Sequence, residues 1–310
     1  MLTRRDFLLS CAATTTLLAI PAMATTTAAN VSATGLPARR FDAAKRLQAL
    51  EVGHARLGVC LLDTATGEVS GNRLDEYFAM CSTFKLALAA AYLREADQGR
   101  LDLDEMLPYS EADLLPWAPV TREHLAKGGM TIIALLQAAQ QFSDGVAANL
   151  LVKRLGGPAM VTAKFREMGD NITRLDRYEP DLGLVLSADL RDTTTPRAMA
   201  QLVQRITCGE LLQQDSRQRL LQWMESTNTG SKRLRAGLPA TWRSGNKTGT
   251  GRTEGTTNKY NDIAITFPPG RSPIIIAAYF DSGEYTGQIE DRHQAVLADV
   301  GRIAAEWALA

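Results

Sequence analysis

Apolar residues recur at helical spacing over 41–51, then give way to an almost unbroken apolar run, Leu57-Gly58-Val59-Cys60-Leu61-Leu62-Asp63, that reads as a buried strand. Thr66-Gly67 supplies a turn, and a second short strand is predicted near 68–71. From Leu86 to about Leu221 the spacing is mostly helical, over 86–93, 131–141, 146–155, 159–168, 196–206 and 216–224, punctuated by Gly and Pro. Strand patterns return at 242–249, 262–267 and 273–280, and an amphipathic helix from about Ile289 to Trp307 follows. Strands drawn from both ends, with helices between them, predict an α+β fold: one sheet assembled from the termini and a helical lobe inserted into it. No period of 20–50 residues recurs, which excludes a solenoid.

Composition narrows the function. The chain has 310 residues, 45% hydrophobic and 22% charged, as a folded globular protein does. Its 34 basic and 34 acidic residues cancel and form no basic tract, which argues against a nucleic-acid partner. His54, His124 and His293 stand far apart without Cys or His partners at ligand spacing, so no metal or other cofactor is expected. Thr3-Arg4-Arg5-Asp6-Phe7-Leu8-Leu9, an Ala/Leu-rich stretch and Ala22-Met23-Ala24 predict a removable export signal over 1–24. The paired arginines resemble a twin-arginine leader, so the mature protein is expected to be periplasmic, monomeric and without a membrane anchor. Cys60, Cys81 and Cys208 remain after the leader, and no disulfide is expected among them.

Three short patterns could carry chemistry. In Ser82-Thr83-Phe84-Lys85 the Ser is predicted to open a helix, with the Lys one turn on along the same face. Free N–H groups there can hold an oxyanion, and a desolvated lysine can take a proton from the hydroxyl. The pattern alone is weak, since Ser244-Gly245-Asn246-Lys247 repeats it without a helix behind. That second copy leads into Lys247-Thr248-Gly249, a strand end followed by Thr250-Gly251, where a ligand backbone could pair with an exposed edge and a cation could hold a carboxylate. Ser143-Asp144-Gly145 lies between two helix patterns, where a hydroxyl could relay a proton.

With those motifs, and with Arg177-Tyr178-Glu179-Pro180-Asp181-Leu182, the chain from about Phe41 onward resembles the class A serine β-lactamases. The resemblance implies a five-stranded antiparallel sheet flanked by terminal helices, formed by 25–80 and 237–310, with an all-helical lobe over 81–236 and the site between them. It also implies hydrolysis of penicillins and cephalosporins, small-molecule β-lactams being the only partners. Ser82 is then the nucleophile, its N–H and that of Thr250 the oxyanion hole. Lys85 or Glu179 takes the first proton, Ser143 protonates the leaving nitrogen, and Glu179 activates the deacylating water. Lys247, Thr248, Gly249 and Thr250 line the substrate carboxylate site. Arg177 and Asp192 brace the Glu179 loop, whose Glu179-Pro180 bond is expected to be cis, and Asn149 supports it. Trp117 would form an aromatic wall at the entrance, with a core tryptophan as the alternative. Arg233 would add a second cation, with a merely solvated arginine as the alternative.

The pattern breaks at two places. The family's Ser-Asp-Asn is Ser143-Asp144-Gly145, and the Asn that usually closes the Glu loop is Gly183. A bridge from Cys81 to the position after the Lys-Thr-Gly strand, present in some relatives of this type, is excluded by Gly251. A D-alanyl-D-alanine peptidase shares the three short patterns but lacks the Glu179-Pro180 loop. A non-turnover β-lactam sensor would acylate and stop.

Overall fold

The computed structural model describes residues 41–186 and 188–310; the leader predicted over 1–24 lies outside them. In chain order the elements are α1 (Ala43–Gln48), β1 (Arg56–Asp63), β2 (Val69–Asn72), β3 (Phe78–Ala79), α2 (Phe84–Asp97), β4 (Met106–Pro108), α3 (Pro119–Glu123), β5 (Gly129–Thr131), α4 (Ile132–Gln141), α5 (Gly145–Arg154), α6 (Pro158–Glu167) and β6 (Thr193–Thr194). Then come α7 (Pro196–Cys208), α8 (Gln214–Glu225), α9 (Leu234–Gly237), β7 (Arg243–Gly251), β8 (Lys259–Phe267), β9 (Ile274–Asp281) and α10 (Asp291–Leu309).

The main sheet is antiparallel and five-stranded, in the order β2-β1-β9-β8-β7. Its central strands read as continuous apolar runs because both faces are covered. Ile275, Ala277 and Tyr279 of β9, with Cys60, Leu62, Ile263 and Ile265, join the core shared with the helices. The alternate residues Ile274, Ile276, Ala278 and Phe280 pack with Leu57, Val59 and Leu61 against α1 and α10, where Trp307 is fully buried. Alternation is thus present, but both halves of it are apolar.

Helix α2 runs through the other core. Its residues Phe84 to Leu93 are all buried, apolar except for Lys85, and its alanines let neighbours approach. Helices α4, α5 and α7 begin at side-chain caps: Thr131, Asp144 and Thr195 accept from the N–H groups of Ala134, Ala147 and Ala198.

Between β3 and β7 the chain is helical apart from two small pairings, β4 with β5 and β6 with β3, which the sequence pattern did not show because two- and three-residue strands have no period. The short α3 and α9 escaped for the same reason. Strand β7 continues past Lys247-Thr248-Gly249 to Gly251, and it is an edge strand as expected. Among the described residues no helix is long and apolar enough to cross a membrane.

Candidate active site

Ser82 does not sit inside the helix but in a single 3₁₀ turn, Cys81–Thr83, that leads into α2. Cys81 has φ +46°, a conformation that a non-glycine residue holds only when its surroundings impose it. They do so here. The Asn261 amide donates to the carbonyls of Ala79 (2.8 Å) and Met80 (3.0 Å), the Met80 N–H donates to Asp192 O, and Thr83 Oγ1 donates to Met80 O. Gly249 completes the restraint: a Cβ there would stand 2.6 Å from Met80 O and 3.2 Å from Ser82 N, so only glycine lets β7 close on Ser82.

Lys85, one turn further along α2, is buried with Ser82 in front of it. Its Nζ donates to Ser143 O at 3.0 Å and lies 2.9 Å from Glu179 Oε1, the same oxygen that accepts from Ser82 Oγ at 2.9 Å. Burial raises the Glu179 carboxyl, but the Lys85 charge and the hydrogen bonds from Lys85 and Ser82 outweigh it, leaving the group below the ordinary carboxylate range.

The Glu179 loop is held at both ends. Asn149 forms a two-way clamp with the main chain of Glu179, Nδ2 donating to its carbonyl (2.8 Å) and Oδ1 accepting from its N–H (2.9 Å). At the neck Arg177 Nε donates to Asp192 Oδ2, and Asp192 Oδ1 accepts from the N–H groups of Asp176 and Arg177. The Glu179-Pro180 bond is cis.

Ser143 stands at φ +59° between α4 and α5, held there by Asp144, which caps α5 and also accepts from the N–H groups of Val120 and Thr121. Its two oxygens serve two lysines: the carbonyl takes Lys85, and Oγ accepts from Lys247 Nζ at 2.9 Å. Lys247 donates also to Thr248 O. Burial and the like charge of Lys85 hold the Lys247 ammonium well below the ordinary lysine value.

A cavity of about 340 Å³ opens over these groups, lined by Ser82, Lys85, Trp117, Ser143, Glu179 and Thr250 among others. A larger hollow of about 1110 Å³, near Tyr77, Leu190 and Tyr285, touches neither Ser82 nor Glu179. Trp117 is 59% exposed at the smaller cavity, tethered through Nε1 to Phe142 O, which excludes the core alternative. Arg233 is not solvated: it is 3% exposed, and its guanidinium donates to Gly249 O, Asn261 O and Thr250 Oγ1 while still lining the cavity.

Pattern reading missed Thr229, whose hydroxyl meets that of Thr248 at 2.8 Å, and Asp262, buried beneath the Lys-Thr-Gly strand. Neither belongs to a motif; only strand pairing shows that Asp262 lies opposite Thr248. Among the described residues Cys60, Cys81 and Cys208 are free, and a Cβ on Gly251 would stand 3.1 Å from Cys81 Sγ. No group of His, Cys, Asp or Glu among the described residues could hold a metal ion.

Residues 42–308 match the family model described as the beta-lactamase enzyme family. The chain is 45% identical over 308 residues to beta-lactamase L2 of Stenotrophomonas maltophilia, covering 98% of each. It is 42% identical to beta-lactamase CTX-M-8 of Citrobacter amalonaticus, over 87% of this chain and 91% of that one. Among solved structures, an ancestral class A beta-lactamase (GNCA) superposes with a TM-score of 0.80 at 48% identity, covering 85% of this chain and 99% of its own.

Proposed function

The chain belongs to the class A members of the beta-lactamase enzyme family and hydrolyses β-lactams, a resistance activity; from that premise we infer how its own residues divide the work. One observation carries the reading: a single carboxylate oxygen, Glu179 Oε1, lies 2.9 Å from both Ser82 Oγ and Lys85 Nζ.

In the free enzyme Glu179 is the acceptor within reach of the Ser82 proton, because Lys85 Nζ is occupied as a donor to Glu179 and to Ser143 O. Ser82 Oγ attacks the lactam carbonyl, and the Ser82 and Thr250 N–H groups take the developing oxyanion, each worth about 10²–10³ in rate. Ser143, held by Lys247, passes a proton to the leaving nitrogen. The proton that Glu179 took passes through Lys85 to Ser143 and replaces the one given to the leaving nitrogen, so Glu179 is again a carboxylate and activates a water against the acyl carbonyl. Lys247, Thr248, Thr250 and Arg233 bind the substrate carboxylate, and Trp117 flanks the entrance.

We further assign 25–80 with 237–310 to one lobe and 81–236 to the other. Arg4 and Arg5 direct export by the twin-arginine route, giving a monomeric periplasmic enzyme. Replacing Arg4 and Arg5 by Lys should leave full-length protein in the cytoplasm, and a processed periplasmic product from that variant would refute the route.

Purified protein mixed with a chromogenic cephalosporin tests the chemistry. Sustained colour with no lasting mass adduct is expected. A stoichiometric burst with a persistent adduct would instead indicate a peptidase or a sensor.

A further inference from the structure

Lys247 and Arg233 are two cations taken out of water, and each makes its hydrogen bonds to neutral groups: Ser143 Oγ and Thr248 O for the lysine, two carbonyls, Thr250 Oγ1 and Gln294 Oε1 for the arginine. Burying charge in that way is costly unless an opposite charge lies close. Glu179 supplies part of it to Lys247 but is already engaged by Lys85. The remaining negative charge is Asp262, whose carboxylate acts on both Lys247 and Arg233 and is itself fully buried.

Asp262 also holds geometry. It lies opposite Thr248 across the β7–β8 pair, so the two side chains share a face of the sheet. Its Oδ1 accepts from Asn246 Nδ2 at 2.7 Å, and its Oδ2 accepts from Leu234 N at 3.2 Å. Leu234 N follows Arg233 at the end of the turn that begins at Gly230. That turn presses directly on the strand: a Cβ on Gly230, at φ +80°, would stand 2.6 Å from Thr248 Cγ2, 2.8 Å from Asn246 Nδ2 and 3.5 Å from Asp262 Oδ2. The carboxylate thus ties together Asn246 and Thr248 on one strand and the segment that delivers Thr229 and Arg233 to the cavity.

We propose that Asp262 is a positioning residue for substrate recognition: it docks the Gly230–Leu234 turn on the Lys-Thr-Gly strand and offsets the buried charges of Arg233 and Lys247, so it sets affinity for β-lactams that carry a ring carboxylate. This rests on the reading of Lys247 and Arg233 as the carboxylate site. Burial pushes the Asp262 carboxyl up to about 6, against the Asn246 amide, Arg233 and the Leu234 N–H, which leaves it ionised at neutral pH.

The test compares a chromogenic cephalosporin with its carboxyl methyl ester at neutral pH, in the unaltered enzyme and in Asp262→Asn. The variant should raise KM for the free acid by about tenfold or more, as loss of one buried charge partner does. Its kcat should stay within about threefold, and kcat/KM for the ester should be unchanged. An equal loss on acid and ester, or a fall in kcat alone, would mean that Asp262 only supports the fold and would overturn the inference. If the unaltered enzyme does not distinguish acid from ester, the carboxylate site itself is misassigned and this inference falls with it. Should Asp262→Asn not fold, the exchange Asn246→Asp with Asp262→Asn keeps the hydrogen bond and the charge. Discrimination should then be retained, and its loss in the folded exchange variant would refute the proposal.

Discussion

The two walls of the cleft are built on opposite electrostatic plans. On the helical wall, Lys85 and Glu179 form a contact ion pair that includes Ser82, so the groups we assign to proton transfer are neutral as a set. On the strand wall, Lys247 and Arg233 bond only to neutral atoms and leave a surplus of positive charge facing the cavity. A neutral reacting set can pass protons without a large change in field, while a strand wall with two cations against one buried carboxylate, Asp262, attracts an anion and orients it. The walls meet at Ser143, which carries one lysine on its carbonyl and the other on its hydroxyl.

Breaking the helical wall should have the largest effect. Ser82→Ala should lower kcat by at least about 10⁴-fold and abolish the mass adduct, the scale seen when a nucleophile is removed; an adduct in this variant would locate the nucleophile elsewhere. Glu179→Gln should slow deacylation by about 10²–10⁴-fold and let the acyl-enzyme accumulate, measured by intact mass after quenching. Clearance of the ester at the normal rate would show that another base serves that step.

Breaking the strand wall should change binding first. Lys247→Ala should lower kcat/KM by about 10²-fold on carboxylate-bearing substrates, the size of effect expected when one charge of a buried pair is lost. The same asymmetry predicts the pH profile. Glu179 is held below the carboxylate range, so its ionised form persists into acid and the acidic limb of kcat/KM should lie below the usual glutamate value. Lys247 is held well below the lysine value, so its charge is lost early as pH rises and the alkaline limb should appear below 10.5. An alkaline limb at the ordinary lysine value would contradict the strand wall as described.

A subtler variation lies where the walls join. Gly145 takes the place of the family's Asn, and a Cβ there would stand 3.1 Å from Trp117 O and 3.2 Å from Leu115 Cδ1. Gly145→Asn should therefore displace Leu115 and change relative turnover of substrates with and without an acylamido side chain by about 10-fold, the worth of one hydrogen bond. Unchanged ratios would remove position 145 from substrate discrimination.

The smallest effect serves as a control away from both walls. Glu95 is pushed down to about 2, mainly by its hydrogen bond from Arg100 and also by Lys164. Its folded value is depressed, so its contribution to stability is present above the ordinary glutamate range and is lost as pH falls towards 2. Glu95→Gln should lower Tm slightly at neutral pH, with the difference from the parent vanishing near pH 2 and turnover unaffected. A Tm difference that grows in acid would contradict the ion-pair origin.

Much of this was legible before any coordinates. The 3.6-residue spacing outlined α4, α5, α6, α7 and α8, because each buries a stripe, while α2 showed as a continuous apolar, alanine-rich run because residues 84–93 are buried on every side. The apolar runs of β1 and β9 were readable as strands because both faces of the sheet are covered. The motif residues Ser82, Lys85, Ser143, Glu179 and Lys247 could be nominated from type and spacing, because the proposed chemistry demands those side chains, and the structure brings them together. Trp117 and Arg233 could be nominated from sequence but not placed. An exposed ring on a tether and a buried guanidinium on strand carbonyls differ in nothing that a one-dimensional pattern records.

What the chain determined by itself was therefore the inventory of candidate reacting groups and the elements that carry them, because periodicity and side-chain chemistry are local properties. What only the tertiary structure decided was their sharing. Glu179 gives one oxygen to both Ser82 and Lys85, Ser143 serves two lysines, and Asp262 is a carboxylate in no motif that lies under the substrate strand. Those relations join residues up to 104 positions apart. They arise from the packing of the Cys81–Thr83 turn against β7 and from the strand pairing of β7 with β8, which bring distant charges to a few ångströms.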